Sequence, residues 1–152
     1  MEVILRQASI GDLDLMFEWR NNPEVYQGLY TQSKENRPLS WTEHVVWWQS
    51  RNKDWRTFII EYEGKPVGVV NIGQLDYWEP ETGIYVNFGS WGKGIAKRAL
   101  ELVLTLLKDM KYKYTRTTIL NNNERSIRLY SSLGFKKIGE ARPGESLYRK
   151  EL

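Results

Sequence analysis

Hydrophobic and polar residues along the chain follow two different periodicities, which together predict an α/β domain. Two-residue alternation or β-branched enrichment predicts strands at Val3–Gln7, Thr57–Glu63, Val67–Ile72, Thr82–Asn87 and Tyr114–Leu120, with Phe135–Glu140 and Leu147–Glu151 as a final hairpin. Capping-box spacing at Ser9 and Ser40 and a cap at Asn123 begin predicted helices that run to about residue 20, Arg51 and Leu133. A short helical stretch is expected after Pro23, and a loop over residues 31–39.

The longest amphipathic segment directly follows a pair of glycines. Its apolar residues recur with helix spacing and predict one buried face: Ile95, Ala96, Ala99, Leu100, Val103, Leu104, Leu107 and Met110. The sequence contains no linker, repeat or low-complexity stretch. One domain over residues 1–152 accounts for every predicted element.

Composition removes several kinds of chemistry. The chain has no cysteine, which excludes a disulfide framework, a thiolate nucleophile and a Cys-type zinc site. The single histidine, His44, excludes a His–His metal site, and its place in a predicted helix favours a packing role. We therefore expect no metal.

Charge and hydropathy indicate a small-molecule ligand. The net charge of +3 is mild and its cations are dispersed, whereas a nucleic-acid binder would cluster them with stacking aromatics. No apolar run approaches the ~20 residues that span a bilayer, and the amino terminus lacks a signal-peptide pattern. We expect a cytoplasmic protein without nucleic-acid or membrane partners. Seven Trp and nine Tyr are compatible with a bulky core, an aromatic pocket or a homodimer face.

A predicted strand runs through Gly92-Lys93-Gly94 into the amphipathic helix, and this connection predicts an anion site. The first N–H groups of a helix lack partners and carry partial positive charge, and glycines allow phosphate oxygens close to the backbone. The Walker pattern fails because Gly94 stands where Ser or Thr is needed. The dinucleotide fingerprint fails because Lys97 replaces its third glycine.

Two motifs together carry a family resemblance. Trp91-Gly-Lys-Gly-Ile-Ala-Lys-Arg-Ala-Leu100 resembles the pyrophosphate-binding motif of the GNAT acetyltransferases, and Asn123-Glu-Arg-Ser126-Ile-Arg-Leu-Tyr130-Ser-Ser-Leu-Gly134-Phe135 resembles their C-terminal motif. With the order of elements, the resemblance covers nearly the whole chain. It implies a GNAT-type α/β (α+β) fold, with a mixed, mostly antiparallel sheet of six or seven strands, a splayed strand pair and about four helices.

The resemblance also implies direct acetyl transfer from acetyl-CoA to an amine. A bulge would part the strand before the glycines from the strand after the helix, the pantetheine arm would lie in the gap, and the Val86 N–H would be the oxyanion donor. Trp91 stands where the family often has Arg or Gln, which implies pyrophosphate contacts from backbone amides there. The residues implied to bind the coenzyme are Tyr85, Val86, Phe88, Trp91, Gly92, Lys93, Gly94, Ile95, Ala96, Lys97, Asn123, Ser126, Arg128 and Tyr130, with Arg98 as a further candidate.

Tyr130 is the predicted general acid, which would protonate the departing thiolate. A nearby helix N-terminus would lower the pKa of this phenol from about 10. The alternative is that its ring only packs in the core. Glu81 is the predicted general base, with Glu79 and Asp76 as alternatives, acting directly or through water.

The N-terminal third bears on the acceptor. Residues 17–25 and 40–47 resemble the opening of amino-sugar N-acetyltransferases that act on nucleotide-linked sugars, and related openings occur in ribosomal-protein acetyltransferases. This implies a nucleotide-linked amino sugar, contacted by Arg20, Asn21, Trp41 and Trp78. A peptide α-amine or a polyamine acceptor, a non-catalytic acyl-CoA sensor and a nucleotide-binding regulatory domain are the alternatives.

Overall fold

In a computed structural model of the protein, the described residues are 2–51 and 54–152. Their strands are β1 (Val3–Gln7), β2 (Arg56–Tyr62), β3 (Lys65–Gly73), β4 (Glu81–Val86), β5 (Tyr114–Leu120), β6 (Lys136–Arg142) and β7 (Glu145–Glu151). These form one seven-stranded sheet in the order β1-β2-β3-β4-β5-β7-β6. Every neighbouring pair is antiparallel except β4 and β5. The predicted fold class is confirmed.

Six α-helices flank the sheet within the described residues, where about four were expected. They are α1 (Leu13–Arg20), α2 (Pro23–Tyr26), α3 (Tyr30–Glu35), α4 (Trp41–Ser50), α5 (Ile95–Asp109) and α6 (Glu124–Ser132). Helix α3 lies in the segment predicted as a loop. Tertiary contacts stabilise it: the Gln32 side chain is 1% exposed and bonds to α1, and Arg142 stacks on the Tyr30 ring at 3.5 Å.

The helices cover the two faces of the sheet. Helix α5 packs on one face through the predicted stripe, with Ala99, Leu100, Val103 and Leu107 fully buried. Met110 is 37% exposed because it follows the last residue of the helix. Helix α1 covers the other face with Leu13, Met16 and Trp19.

His44 has the packing role predicted for it. Its side chain is fully buried, the Nε2 atom lies 2.9 Å from the Leu13 carbonyl oxygen, and its ring stacks on Trp47. Burial lowers the pKa of His44, and the neutral ring therefore links α4 to α1.

Candidate active site

The sheet is split between β4 and β5. These parallel strands share one registered pair, Glu81 with Arg116. At the next residue, the Thr82 carbonyl accepts a hydrogen bond from the Thr117 hydroxyl at 2.8 Å. If the two strands continued to pair, a backbone N–H of β5 would donate to this carbonyl instead. The strands therefore part beyond residue 82, as the splayed pair of the predicted fold requires.

Unpaired backbone groups of β4 face this gap. Asn87 N donates to Val67 O at 2.7 Å, which makes those two residues a hydrogen-bonded pair with β3. Because such pairs alternate in an antiparallel ladder, Val86 and Ile84 point their backbone groups away from β3 and toward the gap. The register between β3 and β4 is constant from Gly68–Val86 to Gly73–Glu81. The bulge implied for this strand is therefore absent from that stretch, and the split arises where β5 stops pairing.

The side chain of Trp91 forms a hydrogen bond with one of these backbone groups. Its indole Nε1 donates to the Val86 carbonyl at 2.8 Å, and the edge of Phe88 packs on its ring. The Val86 carbonyl is therefore satisfied within the chain. Its N–H remains directed into the gap as a hydrogen-bond donor.

A first cleft of about 540 Å³ opens from the gap toward the N-terminus of α5. Gly92 and Gly94 line it in left-handed conformations, with φ of 81° and 76°, which glycine adopts without strain. Both residues turn the chain so that α5 begins with its first N–H groups at the cleft.

The two helices that begin at this cleft differ in how their N-termini are satisfied. Helix α6 is capped, because the Asn123 side chain accepts from Ser126 N at 3.2 Å and Glu124 lies in its first turn. Helix α5 has no acidic residue in its first turn, and no side chain among the described residues caps it. Its unpartnered N–H groups and positive dipole end favour an anion there, as the glycine turn predicts.

Most of the predicted coenzyme residues lie together in the first cleft. Those that line it are Tyr85, Val86, Trp91, Gly92, Gly94, Ile95, Ala96, Lys97, Asn123, Ser126 and Arg128. Phe88, Lys93 and Arg98 are not among its lining residues, and the Lys93 ammonium lies 5.9 Å from the Tyr62 ring. Tyr130 lines a different cleft.

This second cleft is lined by residues that include Arg20, Gly83, Thr118, Tyr130, Arg142 and Glu145. Five residues line both clefts: Gly28, Leu29, Ile84, Asn123 and Ser126. The two clefts therefore meet at the split in the sheet. A group held in one lies next to a group held in the other.

Tyr130 lines the second cleft and lies one helical turn after Ser126, which lines both clefts. Its ring is 3% exposed and packs edge-on against Phe135, while its hydroxyl is buried with no hydrogen-bond partner among the described residues. Burial raises the pKa of Tyr130, and the hydroxyls of Thr117 and Thr82, which lie near it without a well-aligned hydrogen bond, act in the opposite direction. The expected lowering of this pKa is therefore wrong, because desolvation outweighs any effect of the helix terminus.

The three candidate bases differ in their surroundings. Glu79 forms an ion pair with Arg149 at 3.0 Å, and Asp76 lies exposed in the turn before β4. Glu81 is half-buried on the same face of β4 as Gly83, which lines the second cleft. Burial raises the pKa of Glu81, with Arg116 opposing. Glu81 itself lines neither cleft, and of the three it is the partly buried carboxylate without an ion pair among the described residues.

Among the predicted acceptor contacts, only Arg20 lines the second cleft. The Asn21 side chain holds α1 to the loop before α4 through hydrogen bonds with the backbone of Leu39, and it also accepts from Gln32. Trp41 packs on Phe17, and Trp78 is 79% exposed against Tyr77. The structure does not bring these three to either cleft.

Several lining residues were not predicted. Gly28 and Leu29 come from the connection between α2 and α3 and lie at the junction. Arg125 lines the first cleft, and the pair Arg142–Glu145 lines the second. The cluster of Arg125 with Arg128 is visible in the sequence, but no local pattern indicates that the chain near Gly28 closes on Asn123.

Two further kinds of site were searched for among residues 2–51 and 54–152. No group of His, Asp or Glu side chains there could hold a metal ion. No helix in that part of the chain has the length and apolarity to cross a membrane.

The chain belongs to the GNAT acetyltransferase family, because the acetyltransferase (GNAT) domain matches residues 2–136. It is 42% identical over 155 residues to the uncharacterized protein MJ1062 of Methanocaldococcus jannaschii, covering 99% of this chain and 31% of that protein. A crystal structure of a domain from the same organism has a TM-score of 0.92 at 41% identity and covers 99% of both chains. Spermidine N-acetyltransferase from Vibrio cholerae in complex with CoA and spermine shares the fold, with a TM-score of 0.81 at 18% identity over 99% and 94% of the two chains.

Membership identifies acetyl-CoA as the cofactor of this domain and acetyl transfer to an amine as its chemistry. The first cleft offers the hydrogen-bonding groups that this cofactor needs. The free N–H groups of α5 suit a pyrophosphate, and the unpaired edge of β4 suits the amides of a pantetheine arm.

Proposed function

We propose that this protein transfers the acetyl group of acetyl-CoA to the primary amine of a nucleotide-linked amino sugar. The observation that carries the choice of acceptor is Arg20, a half-buried cation that lines the second cleft. Within the described residues, no carboxylate forms an ion pair with it. A phosphate of the acceptor would supply the missing anion.

The contacts of Arg20 hold its guanidinium without neutralising it. Its Nε donates to Gln32 Oε1 at 3.2 Å, and its Cζ atom lies 5.5 Å from the Trp47 ring centroid. Burial lowers the pKa of Arg20. Because a partly desolvated guanidinium gains most from a bidentate oxyanion, this position favours a phosphate over a hydroxyl.

The remaining charges of the second cleft support the same choice. Arg142 and Glu145 neutralise each other in an ion pair of 2.8 Å. Arg20 therefore leaves the lining with a net positive charge. A polyamine would bring several cations toward it, which is unfavourable, whereas a sugar diphosphate would be attracted.

Val86, Tyr130 and Glu81 have complementary roles in this proposal. Acetyl-CoA supplies the acetyl group as a thioester, so that a C–N bond forms and the C–S bond breaks. The Val86 N–H stabilises negative charge on the carbonyl oxygen. Glu81 accepts the proton that the amine loses, directly or through water, and Tyr130 donates a proton to the sulfur. The burial that raises the pKa of Tyr130 would also raise that of a thiol at the same place, so the phenol could still supply the proton.

A thiol-release assay with acetyl-CoA tests this function across UDP-linked 4-amino sugars, N-terminal peptides and spermidine. We expect thiol release with a UDP-linked amino sugar and little with spermidine. Preferred turnover of a peptide or of spermidine would contradict the acceptor. Thermal stabilisation by acetyl-CoA with no thiol release from any amine would favour a non-catalytic sensor.

Replacing Arg20 tests the anion contact. Arg20→Gln should raise the KM for the nucleotide sugar about 10- to 100-fold, since hydrogen bonds to charged groups are worth roughly 1.5–3 kcal/mol. The Kd for acetyl-CoA should not change. Arg51→Gln is the matched control, because Arg51 lies 5.6 Å from the same Trp47 ring and does not line the cleft. An equal rise of KM in both variants would show that the effect comes from Trp47 packing.

A further inference from the structure

We propose that Arg125, held on the face of Trp91, binds a phosphate group of the coenzyme. The proposal rests on the first cleft being the coenzyme site. Lys93, Arg98 and Arg128 are the cations that the sequence indicated for the phosphates. The structure places a different one against the glycine turn.

The position of the Arg125 guanidinium is fixed by stacking. Its Cζ atom lies 3.3 Å from the centroid of the Trp91 ring. That ring is itself fixed, through the hydrogen bond from its Nε1 to Val86 O and the edge contact of Phe88 at 4.9 Å between centroids. Trp91 precedes α5 and Arg125 lies in the first turn of α6. The stacked pair therefore links the two helix N-termini across the first cleft.

Stacking leaves the hydrogen bonds of the guanidinium free. The five N–H donors of arginine lie in the plane of the group, so a ring on one face does not occupy them. Arg125 lines the first cleft, so these donors can reach a ligand that enters it. A planar fork of this kind matches the geometry of a phosphate.

The charges around Arg125 do not neutralise it. Glu124, its neighbour, is 3.7 Å from Arg128, and within the described residues no carboxylate is in ion-pair range of Arg125. Burial lowers the pKa of Arg125, and the nearby charge of Arg128 lowers it further. Lys97, Arg125 and Arg128 line this cleft together with the carboxylates of Glu24 and Glu124, which leaves one positive charge in excess where α5 adds its positive dipole end. An anion bound there would offset this excess.

The pair also explains why an uncharged tryptophan is tolerated at the start of the glycine motif. The Trp91 side chain has no charge with which to bind a phosphate, but the cationic guanidinium of Arg125 stacks on its ring. In this arrangement Arg125 is the binding residue and Trp91 is the positioning residue.

Calorimetric titration of the full chain with CoA, 3′-dephospho-CoA and pantetheine tests the proposal. Arg125→Gln should weaken CoA binding about 10- to 100-fold, the range expected for a charged hydrogen-bonding group, and should leave pantetheine binding unchanged. Arg56→Gln is the control, since Arg56 is an exposed arginine on β2 that lines neither cleft. We expect less than about a 3-fold effect from it.

Comparison of CoA with 3′-dephospho-CoA shows whether Arg125 binds the pyrophosphate or the 3′-phosphate. An equal loss for CoA and 3′-dephospho-CoA places Arg125 at the pyrophosphate, and a loss confined to CoA places it at the 3′-phosphate. Unchanged CoA binding in Arg125→Gln would overturn the proposal, as would an equal loss of pantetheine binding. If the wild-type protein itself fails to bind CoA, the coenzyme site is wrong, which is a separate result.

Variants of Trp91 test the positioning role. Trp91→Phe keeps a ring under the guanidinium and should bind CoA within a few-fold of wild type. Trp91→Leu removes the ring and should match Arg125→Gln, and the double variant should lose no more than either single one because the two residues act as a unit. Additive losses would contradict this coupling, and melting curves identify any variant that fails to fold.

Discussion

Tyr130→Phe should lower kcat by about 10²- to 10⁴-fold, the usual contribution of a general acid, while the Kd for acetyl-CoA stays the same. The substitution removes only the buried hydroxyl and leaves the edge contact with Phe135 in place. Single-turnover kinetics with saturating acceptor measure the loss. Tyr148→Phe is the control, because Tyr148 is buried in the same core cluster but does not line the cleft.

The stability of Tyr130→Phe separates a catalytic role from a structural one. A buried hydroxyl without a partner costs about 1–3 kcal/mol, so its removal should leave the melting temperature unchanged or higher. A drop in melting temperature together with a normal kcat would mean that this side chain only packs the core.

Glu81→Gln should lower kcat/KM by about 10²- to 10⁴-fold, as expected for loss of a general base, and should also change the pH profile. Burial raises the pKa of Glu81 above its ordinary 4.5. Because the base must be deprotonated, wild-type activity should fall as the pH drops through this raised pKa. The variant should lose that limb and keep only the limb that belongs to the substrate amine. The measurement is kcat/KM against pH for both proteins.

Glu79→Gln is the control for this experiment. Glu79 lies just before β4 and is held by Arg149, so its loss should affect stability more than rate. An acidic limb that persists in Glu81→Gln and vanishes in Glu79→Gln would assign the base to Glu79.

Elements with strong local signals were predicted closely. Strand β5 has the predicted bounds, Tyr114–Leu120, and the capping boxes of Ser9 and Ser40 form as expected. The amphipathic stripe of α5 and the cap at Asn123 follow from side-chain spacing alone. Helix α3 was missed because its six residues are polar and depend on Gln32 and Tyr30 contacting other elements.

The glycine turn could be predicted because its function resides in the backbone. Helix N–H groups and left-handed glycines follow directly from the sequence of a strand-to-helix connection. The position of Arg125 on the Trp91 ring could not be predicted, because it depends on the distance between the N-termini of α5 and α6, which the path of β5 determines. Trp78 was predicted to contact the acceptor because it is an aromatic in a turn, and the structure leaves it 79% exposed and outside both clefts.

A crystal structure of the protein with bound CoA tests the central claim most directly. We expect the pantetheine arm between β4 and β5, with its sulfur near the Val86 N–H and the Tyr130 hydroxyl and its pyrophosphate at Gly92 and Gly94. A coenzyme bound outside the split in the sheet, with β4 and β5 paired beyond Glu81 and Arg116, would contradict the account.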